Sequence, residues 1–452
     1  MAELRQLLYL QNPWWHTQGF SFPEASWYKR EIFQKFEEYL TLSQMTAIIG
    51  LRRVGKTTLL RQAIDSLLKN NFPPTSICYF SFEEVGVNRE TETLEKIVEI
   101  YLGEIGKTGV WETGKVFFFF DEIQYVPYWQ NILKRYYDLN KNFKFVVSGS
   151  SSLFLRKEAK ETLSGRMLEI KIPPLSFREY LAIKGEKKSI PQIDIFGSAK
   201  IPSILESLEL LQIQGLFLSF LSCGQFPEVL GLPDFEKKRQ YLKEWVIEKI
   251  IDTDLPSIVK IEYPDMLKNL TYTLLEGSGQ EIEFTNLGED LGISRETVRQ
   301  YISYLEKALL VHQVINFSGS FRRRERRNRK IYAASSNFAS VVLAENEMGK
   351  MFQKNLGKIV ETFVCNNLIL KFAKVFFFKE RGKEVDFIVG NEEEMYPMEV
   401  KFQEKARDED YKNLLSLMEK RGYQKAFLLT KNHWGEKKIK GKTIYLRPVF
   451  LI

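Results

Sequence analysis

Apolar residues fall in short blocks along this chain, and the blocks show two different periods. Met45–Ile49, Ser76–Phe82, Val116–Phe120, Lys144–Val147 and Met167–Ile172 are strand-length runs. The middle one, Val116-Phe117-Phe118-Phe119-Phe120, is apolar without a break, as a central parallel strand covered on both faces requires. Glu31–Leu40 instead has helical spacing, with Ile32, Phe33, Phe36 and Leu40 on one face. Ser203–Phe220 and Phe235–Ile251 are helical patterns as well. Thr285–Leu305 reads as helix, glycine-containing turn and helix, with Ser294 as N-cap of the second and Thr297 in its first turn. The last hundred residues return to mixed periods: a helix over Leu356–Lys371, then strands at Val375–Phe378, Glu384–Val389 and Met398–Lys401. Ahead of all this, residues 1–25 carry Trp14 and Trp15 between Pro13 and Pro23, an arm expected to pack on the first domain.

Length and composition set bounds. At 452 residues and 44% hydrophobic, the chain can bury several cores, which suggests about two to four domains. Cys78, Cys223 and Cys365 are scattered and form no C-x-x-C pair, and the histidines are His16, His312 and His433. A structural zinc site is therefore not expected, and a reducing cytoplasm fits best. The start has no signal-peptide shape, and the apolar run 116–120 is too short to span a bilayer, so no membrane partner is expected. The net charge of +7 is mild, so any nucleic-acid argument must rest on where the charge lies.

The strand at Met45–Ile49 runs into Gly50-Leu51-Arg52-Arg53-Val54-Gly55-Lys56-Thr57, which matches G-x-x-x-x-G-K-[ST] at every fixed position and precedes a helical stretch. Glycines at these places let backbone N–H groups curl round a phosphate at a helix N-terminus. Gly50, Arg52, Arg53, Val54, Gly55, Lys56, Thr57 and Thr58 are thus expected to contact ATP, with Lys56 on the β/γ-phosphates and Thr57 on Mg²⁺. The run 116–120 ends in Asp121-Glu122, outside the carboxyl end of a strand, where open α/β sheets bind ligands. Asp121 is the second expected Mg²⁺ ligand, and Glu122 the group that polarises the attacking water. Ser148, at the end of the next strand, reads as a sensor of the γ-phosphate. Arg166 reads as a group that reports on or stabilises transferring phosphate charge.

Taken with Asp121-Glu122-Ile123-Gln124, Ser148-Gly149-Ser150-Ser151, Leu163-Ser164-Gly165-Arg166 and Pro174-Leu175-Ser176-Phe177-Arg178-Glu179-Tyr180, the loop resembles that of archaeal and bacterial AAA-type ATPases with a C-terminal domain. Gly224-Gln225-Phe226-Pro227 resembles the glycine–proline signature of the related signal-transduction ATPases, with Gln225 where a second glycine is expected. That resemblance implies that Pro227 lies in a helical lid near the nucleotide.

Thr285–Leu305 looks like the helix-turn-helix of a winged-helix domain, with Arg295, Thr297, Arg299 and Gln300 able to face a DNA groove. The wing falls on Phe321–Lys330, where seven basic residues accompany one acid; Arg322, Arg323, Arg324, Arg326 and Arg327 are expected on phosphates. Asp386 followed by Glu399-x-Lys401 resembles the core of PD-(D/E)XK nucleases, although Val385 stands where a proline is expected. Strand alternation puts Glu399 and Lys401 on one face. The resemblance implies that Asp386 and Glu399 bind Mg²⁺, that Lys401 positions or deprotonates water, and that Glu361 completes the shell.

The sequence therefore predicts an arm (1–25), an α/β parallel-sheet ATPase domain (26–182), a helical lid (183–260), a winged helix (261–345) and a restriction-endonuclease-like α/β domain (346–452). The expected function is ATP hydrolysis coupled to DNA processing, with homo-oligomers compatible. The alternative is a regulatory ATPase switch whose C-terminal domain is a non-catalytic binding platform.

Overall fold

Every residue of the phenylalanine-rich run is buried in one strand, β3 (Val116–Asp121). Each fully buried phenylalanine contributes about 2 kcal/mol of apolar transfer. In the computed structural model, which describes residues 2–83, 90–106, 114–150, 162–186, 190, 205, 210–317, 329–343, 348–391 and 394–452, β3 is flanked on both sides. With β1 (Met45–Gly50), β2 (Ile77–Ser81), β4 (Phe143–Ser150) and β5 (Met167–Ile172) it forms a five-stranded sheet in the order β2-β3-β4-β1-β5, parallel throughout. This sheet belongs to one of two compact units, Met1–Pro174 with Lys249–Ile261; the other comprises Leu175–Glu248 and Glu262–Ile452.

The arm closes the β2 edge of that sheet with side chains instead of another strand. Asn12, fully buried, gives Nδ2–H to the Tyr79 carbonyl at 2.8 Å and accepts the Tyr79 N–H at 2.7 Å. Trp14 and Trp15 both donate to the Ile77 carbonyl, and Gln11 accepts the Ser81 N–H at 2.7 Å. An unpaired strand edge is a template for association, and here it is capped. At the amino-terminal ends of β3 and β4, two lysines satisfy the final carbonyls of helix Phe33–Thr41. Lys115 Nζ donates to Leu40 and Thr41 at 2.7 and 3.0 Å, and buried Lys144 Nζ donates to Tyr39 at 2.7 Å and to Thr46 Oγ1 at 3.0 Å.

The second unit has its own sheet, with nine strands among the described residues. They are β6 (Gln280–Ile282), β7 (Val311–Asn316), β8 (Arg329–Ala333), β9 (Lys374–Glu380), β10 (Lys383–Gly390), β11 (Met395–Lys401), β12 (Lys425–Thr430), β13 (Gly435–Ile439) and β14 (Lys442–Pro448), in the order β13-β14-β12-β11-β10-β9-β7-β8-β6. The expected boundary near residue 345 does not interrupt this sheet, because β7 pairs with β9 through Ile315–Phe376 and Asn316–Phe377. Two helices expected in or beside a lid also pack here. Phe177, Tyr180, Phe217 and Phe220, from Phe177–Ile183 and Leu210–Cys223, share a core with Phe363, Phe387, Phe427 and Phe450. Leu210–Cys223 is apolar on more than one face, so burial on one side alone would leave it half-covered. Among the described residues, no helix is long and apolar enough to cross a membrane.

Candidate functional site

The loop after β1 turns through two left-handed residues, Arg53 (φ 66) and Gly55 (φ 95), before helix Lys56–Lys69 begins. Gly50 is required by close approach: a Cβ there would lie 2.7 Å from the Ile172 carbonyl of β5. Arg30, buried and without any sequence signal, fastens the loop by donating Nη1–H to the Val54 carbonyl at 3.0 Å. Lys56 is buried too; its ammonium donates to the carbonyls of Gly50 and Leu51 and lies 3.4 Å from Glu122 Oε1.

Because β4 lies between β1 and β3, its last residues reach both. Ser148 donates its hydroxyl to Asp121 and accepts the Glu122 N–H at 3.3 Å. The Ser148 side chain, expected as a sensor of the γ-phosphate, is fully buried and engaged with the acidic pair. Thr57 and Tyr79 hydroxyls donate to Asp121 Oδ2 at 2.7 and 3.2 Å. Burial pushes the Asp121 carboxyl up, and Glu122 adds to the shift. Burial acts the same way on Glu122, but Lys56, Gln124 and Arg52 outweigh it and hold that carboxyl below its ordinary value. Glu122 itself is left-handed (φ 54), a backbone state that costs a non-glycine residue about 1 kcal/mol or more. The arrangement puts an ionised carboxylate beside the loop cation and a hydroxyl–carboxylate oxygen pair next to it. Hard oxygens of that kind suit Mg²⁺, which is commonly held by one or two protein ligands plus phosphate and water.

Arg52, expected at the nucleotide, turns its guanidinium to acidic partners. Its guanidinium is held by Asp254 at 2.6 and 2.8 Å, by Glu83 at 3.1 Å and by the Tyr125 hydroxyl at 2.7 Å. Arg166 is also displaced from the phosphate loop. Its carbonyl bonds to Met45 N at the start of β1, and β5 runs parallel to β1 with Gly50 beside Ile172. Five strand residues, about 16 Å, separate it from the loop, and its side chain pairs with Asp138. Within one copy, Arg166 and Lys56 are not brought together. Next to Thr57 and Asp121 is a cavity of about 590 Å³ whose walls include Leu7, Gln11 and Phe22 of the arm and Arg61.

Pro227 belongs to the second unit, where it precedes the short turn Glu228–Gly231. Gln225, standing in place of the expected glycine, is a buried hub: Oε1 accepts from Ser335 at 2.6 Å and Ser336 at 3.1 Å, and its N–H donates to Asn337 Oδ1 at 2.7 Å.

A second cluster of titratable groups is built where β10 is irregular. Its register with β9 shifts between Val385 and Ile388, a bulge that re-aims Asp386. Asp386 Oδ2 accepts the Val400 N–H at 2.8 Å, Glu399 accepts the Asp386 N–H at 3.3 Å, and Lys401 Nζ lies 2.7 Å from Glu399 Oε1. Burial, then the neighbouring Asp386, pushes Glu399 up to about 8. Burial also raises Asp386. Glu361, expected to complete the shell, has Oε1 accepting from Tyr332 at 2.7 Å and from Lys330 at 3.4 Å, and burial, then the neighbouring Asp386, pushes it up to about 7. Among the described residues, no group of three or more acidic, histidine or cysteine side chains is placed to hold a metal. Lys330 closes the basic run in the sequence yet is buried, so it is not part of an exposed basic surface.

Between these elements lie helix Pro264–Glu276, β6, helices Phe284–Leu291 and Arg295–Lys307, and the hairpin β7–β8, with β8 between β7 and β6. Ser294 caps the last of these helices, accepting the Thr297 N–H at 3.0 Å. Val298, Tyr301, Ile302 and Leu305 are its buried face; Arg295, Arg299 and Gln300 are exposed. Arg322, Arg323, Arg324, Arg326 and Arg327 lie outside the described residues.

Three family models match the chain: one described as an AAA domain over residues 42–181, and two described as domains of unknown function (DUF8612 and DUF4143) over 215–346 and 356–447. Uncharacterized protein MJ1544 of Methanocaldococcus jannaschii is 29% identical over 370 residues, covering 80% of this chain and 75% of its own length. An uncharacterized protein of Haemophilus influenzae is 24% identical over 426 residues, covering 92% and 97%. Among solved structures, Aeropyrum pernix ORC1 in complex with DNA aligns over 71% of this chain and 94% of its own, at 14% identity and a TM-score of 0.31. The matched residues 42–181, the parallel order β2-β3-β4-β1-β5 and the loop after β1 together make this part of the chain an AAA-type P-loop ATPase domain.

Proposed function

We propose that the protein hydrolyses ATP to drive the processing of DNA, which a winged helix contacts and a metal-dependent nuclease-like domain acts on. The observation that carries the ATPase part is the convergence of Lys56, Thr57, Asp121 and Glu122 at the carboxyl ends of β1 and β3. Bound Mg²⁺-ATP supplies the anhydride and the charge neutralisation of its phosphates. Thr57 and Asp121 are the oxygens that would hold the metal, and Lys56 is the cation for the β/γ-phosphates. Glu122, kept ionised by Lys56, accepts hydrogen bonds from the attacking water and aligns it. Ser148 and Tyr79 are positioning residues that fix the Asp121 carboxylate.

The helix–strand–helix–helix–hairpin order over 264–333 supports the winged-helix reading, with the exposed Arg295 and Arg299 turned to the solvent side. For the C-terminal cluster, the donor set fits Mg²⁺: two carboxylates, Asp386 and Glu399, both pushed up by burial, which a cation would relieve. Mg²⁺ normally keeps several waters and takes one or two carboxylates. Lys401 stands at Glu399 to orient a water or stabilise the charge that develops on phosphate. The test is cleavage of single-stranded, duplex and branched DNA with Mg²⁺ or Mn²⁺, with and without ATP. Asp386→Asn should lose cleavage, keep DNA binding and keep ATP hydrolysis. If neither protein cuts, or both cut equally, the nuclease reading fails.

One observation favours a second reading, an ATPase switch with a non-catalytic C-terminal platform. The cluster already contains Lys330 and Lys401, so its carboxylates are partly neutralised without metal.

A further inference from the structure

Lys330 is the second residue of β8, beside Val314 of β7 and Glu281 of β6, and only 5% of it is exposed. Its ammonium lies 2.7 Å from Glu384 Oε1 and 3.4 Å from Glu361 Oε1, and 5.5 Å from the centre of the Phe377 ring. Tyr332, two residues along on the same strand face, gives its hydroxyl to the same Glu361 oxygen at 2.7 Å. One oxygen of Glu361 thus has two donors, both delivered by β8. The bulged strand β10 carries Glu384 and Asp386, and β11 carries Glu399 and Lys401. Four carboxylates therefore gather round two lysines of the cluster, with Lys379, 3.4 Å from Glu384, at the more exposed edge. Carboxylates withdrawn from water need a counter-charge nearby, and a side-chain cation and a divalent ion compete to supply it.

We propose that Lys330 is an internal counter-cation of this cluster: it fixes Glu361 and Glu384, so that Asp386 and Glu399 alone remain to hold a single divalent ion. The proposal rests on the metal-dependent reading of the cluster given above. It makes Lys330 and Tyr332 positioning residues, and it assigns Glu361 to Lys330 instead of to the metal. It also separates two lysines by their direct partners: Lys401 pairs with Glu399, whereas Lys330 pairs with Glu384 and Glu361 and acts on Asp386 from farther off.

The experiment is a titration of the full-length, nucleotide-free protein with Mn²⁺, with free ion read by electron paramagnetic resonance. Wild type should bind no more than one ion at this cluster, and Asp386→Asn should abolish that binding. Lys330→Met should bind Mn²⁺ at least tenfold more tightly or take up a second ion, because Glu361 and Glu384 lose their partner; Lys330→Arg should behave as wild type. A residue with a merely structural role would lower metal affinity or leave it unchanged when replaced. Equal or weaker binding by folded Lys330→Met overturns the proposal, whatever wild type binds. Glu361→Gln keeps the shape and should alter Mn²⁺ affinity by less than twofold; a tenfold loss would make Glu361 a ligand and also overturn the proposal. The two readings fail separately. A protein that gains Mn²⁺ on Lys330→Met but cuts no DNA keeps the counter-cation and loses the nuclease. A protein that cuts DNA without that gain keeps the nuclease and loses the counter-cation.

Discussion

Asp254 holds the guanidinium of Arg52 with two hydrogen bonds, 2.6 and 2.8 Å, across 202 residues of sequence. Both side chains are nearly inaccessible, and Arg52 belongs to the phosphate loop. Burial acts against the Arg52 cation, but Asp254 more than compensates and raises its proton affinity above that of a free guanidinium. Breaking a buried pair from one side leaves the other charge stranded, at a cost of about 3 kcal/mol. Asp254→Leu should therefore lower the unfolding free energy of the first unit by about that much. The double variant Arg52→Met/Asp254→Leu should recover most of it. Denaturant unfolding of the single and double variants checks this; additive losses would show that the pair contributes nothing as a pair.

In the acidic pair, two substitutions should separate chemistry from positioning. Glu122→Gln keeps the shape but cannot accept a proton, so ATP should still bind while hydrolysis falls by about 10² to 10⁴. Ser148→Ala leaves Asp121 without one of its three hydroxyl donors. A hydrogen bond to a charged group contributes about 1.5–3 kcal/mol, so turnover should drop about ten- to a hundredfold. Because the loss acts through Asp121, higher Mg²⁺ should restore part of it for Ser148→Ala and none of it for Glu122→Gln. Phosphate release measured against Mg²⁺ concentration distinguishes the two, and an unchanged rate in Glu122→Gln would remove its assigned role.

What could be read from the sequence follows from how local each feature is. Gly50–Thr57 and Asp121-Glu122 are contiguous motifs at strand ends, and their geometry is set within a few residues. Where a side chain turns depends instead on the strands beside it. Ser148 serves Asp121 because β4 happens to lie between β1 and β3, and Arg166 sits far from the loop because β5 runs parallel to β1. Asp254 could not be foreseen, since nothing in its own neighbourhood marks it as a partner of residue 52. Lys330 was hidden by composition. At the end of a basic run it looks like one more phosphate contact, and only the pairing of β8 into the second sheet buries it among carboxylates. Arm residues Gln11 and Asn12 carry no motif either, because their task is to mimic a strand with side chains.

Lys144 gives a pH dependence with a definite sign. It is buried at the end of the sheet opposite the phosphate loop, and burial, with Lys115 nearby, lowers its pKa to about 7. An unfolded lysine titrates near 10.4, so between about pH 7 and pH 10 the unfolded chain binds a proton that the native chain does not. Stability then rises with pH across that window, by up to about 1.4 kcal/mol per unit from this group. The contribution is complete above the unfolded value and absent below the folded one. Lys144→Met removes the group and should flatten the curve in that window. Unfolding free energies at pH 7, 8 and 9 for both proteins test this; equal slopes would mean that Lys144 stays charged in the folded state, held by the carbonyls of Tyr39 and Gln44 and the Thr46 hydroxyl.

The helix Arg295–Lys307 allows the nucleic-acid reading to be tested by salt instead of by affinity alone. Its inner face, Val298, Tyr301, Ile302 and Leu305, is committed to the core, so replacing Arg295 and Arg299 on the outer face should leave the fold intact. Lost affinity by itself is ambiguous, since altered association between copies would have the same effect. A phosphate contact has a specific signature: each one releases counterions, and log affinity for duplex DNA falls against log salt with a slope of about 0.9 per contact. If Arg295 and Arg299 touch phosphates, Arg295→Ala/Arg299→Ala should reduce that slope by up to about 1.8 and weaken binding similarly on unrelated sequences. If they read bases, the slope should barely change while discrimination between sequences falls. Fluorescence anisotropy over a range of salt, with molecular mass checked by light scattering in the same samples, separates these outcomes. A slope and sequence preference both equal to wild type would take this helix out of DNA contact and move the test to the basic run at 322–327.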